Sequence, residues 1–444
     1  MKPKNIIWTA TFLFVSVLVV LGLFFPTELT APLHPEMLVG ADMAWMIMAS
    51  ALVLLMTPGL SFFYGGMVNT KNVISTMFQS FIALGVVSLV WVICGFSIAF
   101  GDSLGGVVGN PLTFWGLRNV GLDANPDFSA TIPFLLFCLF QLKFAIITPA
   151  LITGSFAERV RFDAYILFIV LFTVCIYCPL AHWTWHPEGF LRKWGVLDFA
   201  GGTVVHMSAG IAALAGAIFL GPRKNNTGHH LPANIPYILL GTGLLWFGWF
   251  GFNAGSALSA NATAVQAFAT TNFASAAAMV TWLLFDAMRG RKISATGAAI
   301  GAVVGLVAVT PAAGFINIGQ SIFIGFASAL VSNIAVYYKE RVTVDDTLDV
   351  FPCHGLGGIV GMLLTSVFAK DVGLFYGQTA TFIAHLAALG IVSTFVFCGS
   401  YALYWITNFF VPMRVSEEQE VSGLDMTQHG ETHDIKERYN LAEN

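Results

Sequence analysis

Residues 198–221 read DFAGGTVVHMSAGIAALAGAIFLG, and from Val204 onward the run is almost unbroken apolar chain of the kind that forms a membrane helix. A carboxylate, Asp198, and an imidazole, His206, enter this segment within nine residues. Each is costly in or beside hydrocarbon unless it is paired or used. Eight helical residues advance about 12 Å, so His206 lies near mid-bilayer if Asp198 lies at a membrane surface. An ionisable group at that depth marks a functional path, with a histidine hydrogen-bonded across helices as the structural alternative. Asp198 is placed both to cap the start of the helix and to attract cations to its entrance.

The composition extends this reading to the whole chain. Of 444 residues 57% are hydrophobic and only 10% charged, and the mean hydropathy is +0.77, whereas soluble domains carry about 25% charged residues. A net charge of −4 gives no sign of a nucleic-acid partner. Six cysteines in so long a chain do not suggest a disulfide framework. Cys175 and Cys178 form a CxxC, but inside the apolar run FIVLFTVCIYCPL, where helix packing is the better reading than redox chemistry.

A spanning helix needs about 20 mostly apolar residues. Such windows fall at 42–66, 73–100, 131–155, 163–181, 198–220, 235–256, 267–288, 294–310, 318–338, 350–369 and 380–411. The expected fold class is therefore an all-α polytopic membrane protein of eleven transmembrane helices. If the first span enters from outside, the inner loops hold ten basic residues and the outer loops hold four: Arg118, Arg192, Lys193 and Lys370. Basic residues favour the cytoplasmic side, which puts the C-terminus there and the protein in the cell (inner) membrane. Residues 1–30 read as a signal peptide or an extra N-terminal transmembrane helix, because Lys2 and Lys4 precede the apolar run 6–25. Residues 36–412 form the membrane unit, and the polar, charged residues 413–444 a cytoplasmic tail.

A repeat gives the spans an order. HMSAGI at 206–211 and HGLGGI at 354–359 share HxxxGI, and they sit in the fifth and tenth spans. Five spans per copy is an odd number, so the second copy is inverted, giving two inverted five-helix repeats plus a final helix. Inverted repeats place a site near the midplane where the halves meet. His206 and His354 are thus expected to face each other. Two buried histidines also suit a metal, but no third ligand is apparent in the sequence, and neither a metal nor a cofactor is expected. Aromatic rings with a nearby hydroxyl hold a cation by π contact and hydrogen bonding, although aromatic residues also gather at membrane interfaces.

In LMTPGLSFFYGG, FAIITPALITGSFAERVRF, DFAGGTVVH, GWFGFNAGSA, VDDTLDVFPCHGLGGIVG and RVSEEQEVSGLD the chain resembles the Amt/Mep/Rh ammonium transporters, of the bacterial Amt type. The resemblance runs from Asp42 into the tail. It implies a homotrimer in the lipid bilayer, each protomer moving ammonium or ammonia through a narrow hydrophobic pore, and no enzymatic activity. It implies recruitment at Trp185, Phe144, Ser256 and Asp198, a phenyl gate of Phe144 and Phe252, and a twin-histidine pore of His206 and His354. The tail resembles the regulatory tails of transporters that a PII signalling protein blocks. Lys143, beside Phe144, departs from the pattern: facing the entrance it opposes a cation, so it is expected to snorkel or to face another protomer. A membrane receptor binding ammonium without flux is the competing reading, for which the 32 residues after Pro412 are short of a signalling domain. A membrane metalloenzyme is more distant.

Overall fold

The computed structural model describes residues 32–224, 231–339 and 341–433, with nine isolated positions between 9 and 23. Apart from those positions, the run 6–25 lies outside the described residues, as do tail residues 434–444. Among the described residues ten helices are long and apolar enough to cross a membrane: α1 (Gly40–Met67), α2 (Thr70–Phe100), α3 (Phe134–Phe156), α4 (Phe162–Lys193), α5 (Gly202–Leu220), α6 (Ile235–Gly255), α7 (Ala262–Met288), α9 (Ile318–Lys339), α10 (Phe351–Phe368) and α11 (Ala380–Phe410). The shorter α8 (Ala295–Val309) lies between α7 and α9 and brings the bundle to eleven. Phe247, Leu284, Met288, Ile383, Trp405 and Phe409 project from the perimeter. An apolar exterior of this kind suits a bundle whose solvent is lipid, and the chain is a multi-pass membrane protein.

The boundaries differ from the apolar windows where polar residues cap or extend a helix. α7 starts at Ala262 rather than 267, because the Asn261 side chain accepts a hydrogen bond from the Ala264 N–H (3.0 Å) and carries the helix through Thr263 and Gln266. α5 starts at Gly202 rather than Asp198. Asp198 Oδ1 accepts from the N–H groups of Gly201 (2.7 Å) and Gly202 (2.6 Å), and Oδ2 from the Thr203 N–H (2.7 Å) and hydroxyl (2.6 Å). These bonds satisfy orphan donors at the helix start while Gly201 takes φ 121°, a backbone state that favours glycine. The cysteines of the CxxC are free thiols, Cys175 inside the π-turn Thr173–Tyr177 of α4 and Cys178 just after it.

The HxxxG repeat has a packing meaning. A Cβ on Gly210, four residues after His206, would stand 2.0 Å from the Gly355 nitrogen, one residue after His354. A Cβ on Gly358, four residues after His354, would stand 3.1 Å from the nitrogen of Met207, one residue after His206. Each repeat thus offers a glycine to the residue following the other's histidine. This reciprocal contact brings the two backbones together and turns both imidazoles to one place. Both histidines also sit in π-turns, Gly202–Met207 and Phe351–Leu356, which open α5 and α10. A π-turn inserts an extra residue into the helical ladder and re-aims side chains, a feature frequent at functional sites.

On one face of the bundle the loop 101–133 forms two small hairpins, β1 (Ser103–Leu104) with β2 (Val108–Gly109) and β3 (Ala124–Asn125) with β4 (Ser129–Pro133). On the opposite face the tail folds back onto helix ends. Arg414 donates to the carbonyls of Leu220 and Pro222, both at 2.7 Å, at the end of α5, and pairs with Glu420 at 2.9 Å. Asp425 accepts the N–H groups of Ile74 (3.0 Å) and Ser75 (2.7 Å) in the first turns of α2.

Candidate functional site

A cavity of about 360 Å³ opens beneath the hairpins. Its walls include Phe144 from α3, Trp185 from the last turn of the main run of α4, Asp198 and Ser256. The four residues that the sequence singled out for the entrance therefore share one vestibule. Trp185 stands edge-on to Phe144, with ring centroids 5.8 Å apart and planes at 85°. Its indole N–H donates to the Asp198 carbonyl (3.1 Å), fixing the ring to the start of α5. The Ser256 hydroxyl donates to the Phe252 carbonyl (2.9 Å), which leaves its oxygen lone pairs for a donor in the vestibule. Lys143 does not line this cavity; it is half-buried on α3.

At the vestibule floor Phe144 meets Phe252, ring centroids 4.2 Å apart and planes inclined by 36°. Below them lies a space of about 10 Å³ lined by Phe252, Trp249, His206 and His354, among others. A second space of about 10 Å³ follows, bordered by His354, Val303, Leu348 and Met67. Each has room for about one water molecule, so the two spaces are tight apolar chambers. His206 and His354 are both buried, and their Nδ1 atoms are 3.4 Å apart, one donating to the other. Which ring carries that proton follows from the tautomer. His206 Nε2 has no hydrogen-bond partner among the described residues. Leaving such a group unpaired costs about 1–3 kcal/mol, a cost that makes sense where a passing donor satisfies it.

Three contacts escaped the sequence reading. Trp249 stacks on His206 (5.4 Å, 19°) and donates to the Thr310 hydroxyl (2.9 Å), which holds the imidazole plane. Its position three residues before Phe252 on α6 was the available signal, since i and i+3 share a helix face. His385 of α11 bridges the site's supports: its Nδ1 donates to the Met362 carbonyl (2.8 Å), and its Nε2 accepts the Leu197 N–H (2.9 Å), next to Asp198. Only the fold brings these segments together. Asp127, in the β3–β4 hairpin loop, lines the vestibule as well. Among the described residues no group of three or more His, Cys, Asp and Glu side chains is arranged to hold a metal.

The sequence model of the Ammonium Transporter Family matches residues 44–434. The chain belongs to that family. The ammonium transporter of Bacillus subtilis is 45% identical over 398 residues, covering 88% of this chain and 97% of that one. A putative ammonium transporter of Methanothermobacter thermautotrophicus is 44% identical over 406 residues, 89% and 98% of the two chains. Among solved structures, Saccharomyces cerevisiae Mep2 superposes with a TM-score of 0.82 at 33% identity, covering 87% of this chain and 89% of Mep2. As members of the ammonium transporter family are transporters, this one is not an enzyme. Family membership also accords with the bundle of eleven helices and with apolar chambers that reach the vestibule.

Proposed function

We propose that this ammonium transporter recruits the ammonium cation at Trp185, Phe144 and Ser256, passes it through the Phe144–Phe252 gate, and conducts ammonium or ammonia along His206 and His354. The observation that carries the reading is the buried His206 Nε2, unpartnered among the described residues in an apolar chamber next to the proposed gate. The indole and phenyl faces attract a cation, and the Ser256 oxygen accepts one of its N–H bonds. Below the gate a bare ion has no water shell and no counter-charge, so a species able to share hydrogen bonds with imidazole has the advantage. Potassium cannot donate a hydrogen bond and is refused. Asp198 supports the entrance through its four hydrogen bonds at the start of α5.

The same reading makes the protein a homotrimer of the cell (inner) membrane with the tail on the cytoplasmic side, where a PII signalling protein is the expected partner. The excess of basic residues in the loops on the tail side supports that orientation. Lys143, half-buried and outside the vestibule, is then turned toward lipid or another protomer. The deciding experiment is ammonium uptake into proteoliposomes with potassium as control. Saturable uptake of ammonium without potassium flux is expected, and binding without flux would replace the reading with a receptor.

A further inference from the structure

Among the described residues the vestibule contains two carboxylates, Asp127 and Asp198, and their hydrogen bonds set them apart. Asp198 is buried, and both of its oxygens accept hydrogen bonds from Gly201, Gly202 and Thr203. Its negative charge is offset by the N–H dipoles at the start of α5. Asp127 lines the same cavity but is exposed, and among the described residues its carboxylate accepts no hydrogen bond. The local sequence holds it there. Asn125-Pro126-Asp127-Phe128 closes the β3–β4 hairpin as a turn, with the Phe128 N–H donating to the Asn125 carbonyl (3.1 Å) and the Asp127 N–H to the Asn125 side chain (3.0 Å). Asparagine first and proline second are the residues that such a turn favours. Phe128 then pins the turn to the bundle, stacked on Phe134 at 5.6 Å and on Phe137 at 5.5 Å.

We propose that Asp127 is a further recruitment residue, the carboxylate whose field concentrates ammonium in the vestibule above Trp185 and Ser256. The inference rests on the transport reading given above. Among the described residues one cation faces the same cavity: Arg192, exposed at the rim, whose guanidinium donates to the Trp185 carbonyl (2.5 Å). Asp127 offsets this positive charge, and without it the mouth holds a guanidinium opposed only by a carboxylate already engaged with the backbone. A solvated charge acts on the capture of a cation rather than on the passage below the gate, and salt weakens it.

The test is ammonium uptake by wild type, Asp127→Asn and Asp127→Glu in proteoliposomes at low and high sodium chloride. At low ionic strength Asp127→Asn should raise the half-saturation concentration by about two- to fivefold with the maximal rate unchanged, and Asp127→Glu should restore it. At about 1 M salt, where the screening length is ~3 Å, the difference should vanish. An unchanged half-saturation at low salt overturns the proposal, as does a shift that survives high salt, which would mark a structural effect of the hairpin. An inactive wild type would defeat the transport reading itself. An active wild type that Asp127→Asn matches at every salt concentration defeats only the role given to Asp127.

Discussion

The vestibule and the histidine chambers are neighbours built on opposite terms. Above the Phe144–Phe252 pair lies a cavity of about 360 Å³ with aspartate, arginine, serine and tryptophan in its walls. Below it lie two spaces of about 10 Å³ each, walled by aliphatic and aromatic groups, with imidazole among them. The upper region has room for a hydrated cation and polar groups to meet it. The lower region has room for a water-sized species and little beyond two imidazoles to bond with. The proposed function thereby assigns affinity and selection to separate regions, and on that proposal substitutions in one should leave the other's signature intact.

Six substitutions, arranged in four tests, bear on that separation. The largest effect is expected at the crossing that forms the lower region. Gly210→Ala puts a methyl group 2.0 Å from backbone on α10, where no side chain can rotate away. Overpacking costs about 1–3 kcal/mol where neighbours give, and more is expected here. Thermal unfolding in detergent should drop sharply and transport should be lost; a stable, active variant would show that the helices have freedom to separate. Next come His206→Ala and His354→Ala, which should lower flux or relax discrimination against potassium while assembly persists. Wild-type flux and selectivity in both would remove the imidazoles from the path.

A smaller effect is expected from the upper region. Trp185→Leu combined with Ser256→Ala removes the indole face and the hydroxyl acceptor, and should weaken ammonium capture by about 1–2 kcal/mol. This appears as a raised half-saturation concentration with unchanged potassium exclusion, and altered exclusion would erase the separation of the two regions. The smallest change is expected from Asp425→Ala, outside both. It strips two N–H groups at the start of α2 of their acceptor, a loss of about 1 kcal/mol for a cap. Stability or maximal rate should move slightly, and half-saturation and selectivity should hold.

Much of the architecture was legible because lipid imposes a length on every crossing. The apolar windows located all eleven helices, ten of them to within about five residues, since about 20 residues of unbroken apolarity leave few other readings; the fourth, read as ending at 181, runs on as α4 to Lys193 through the polar stretch that follows the apolar run. The pairing of His206 with His354 was legible for another reason: HxxxGI recurs at equivalent serial positions, and the glycines that make it visible are the contact points of the crossing. What remained hidden depends on geometry without a sequence period. The π-turns have no residue signature, so the true start of α5 and the local backbone that carries both imidazoles could not be read. The saturation of Asp198 depends on which N–H groups its oxygens meet, and Trp249 and His385 acquire their partners only when distant helices pack.

The tail contacts bear on the order in which the protein is made. The carbonyls of Leu220 and Pro222 at the end of α5 and the N–H groups of Ile74 and Ser75 in α2 all belong to the first half of the chain, yet their partners are Arg414 and Asp425. While the ribosome is still adding the second repeat, these helix ends have only solvent or headgroups to bond with. Even after α11 has entered the bilayer, α2 and α5 wait for a later-made segment to close over their ends. A nascent chain stopped at residue 412 would hold all eleven crossings and still leave α2 and α5 without these partners, so a stretch translated after the crossings serves as the clasp of helices translated before it.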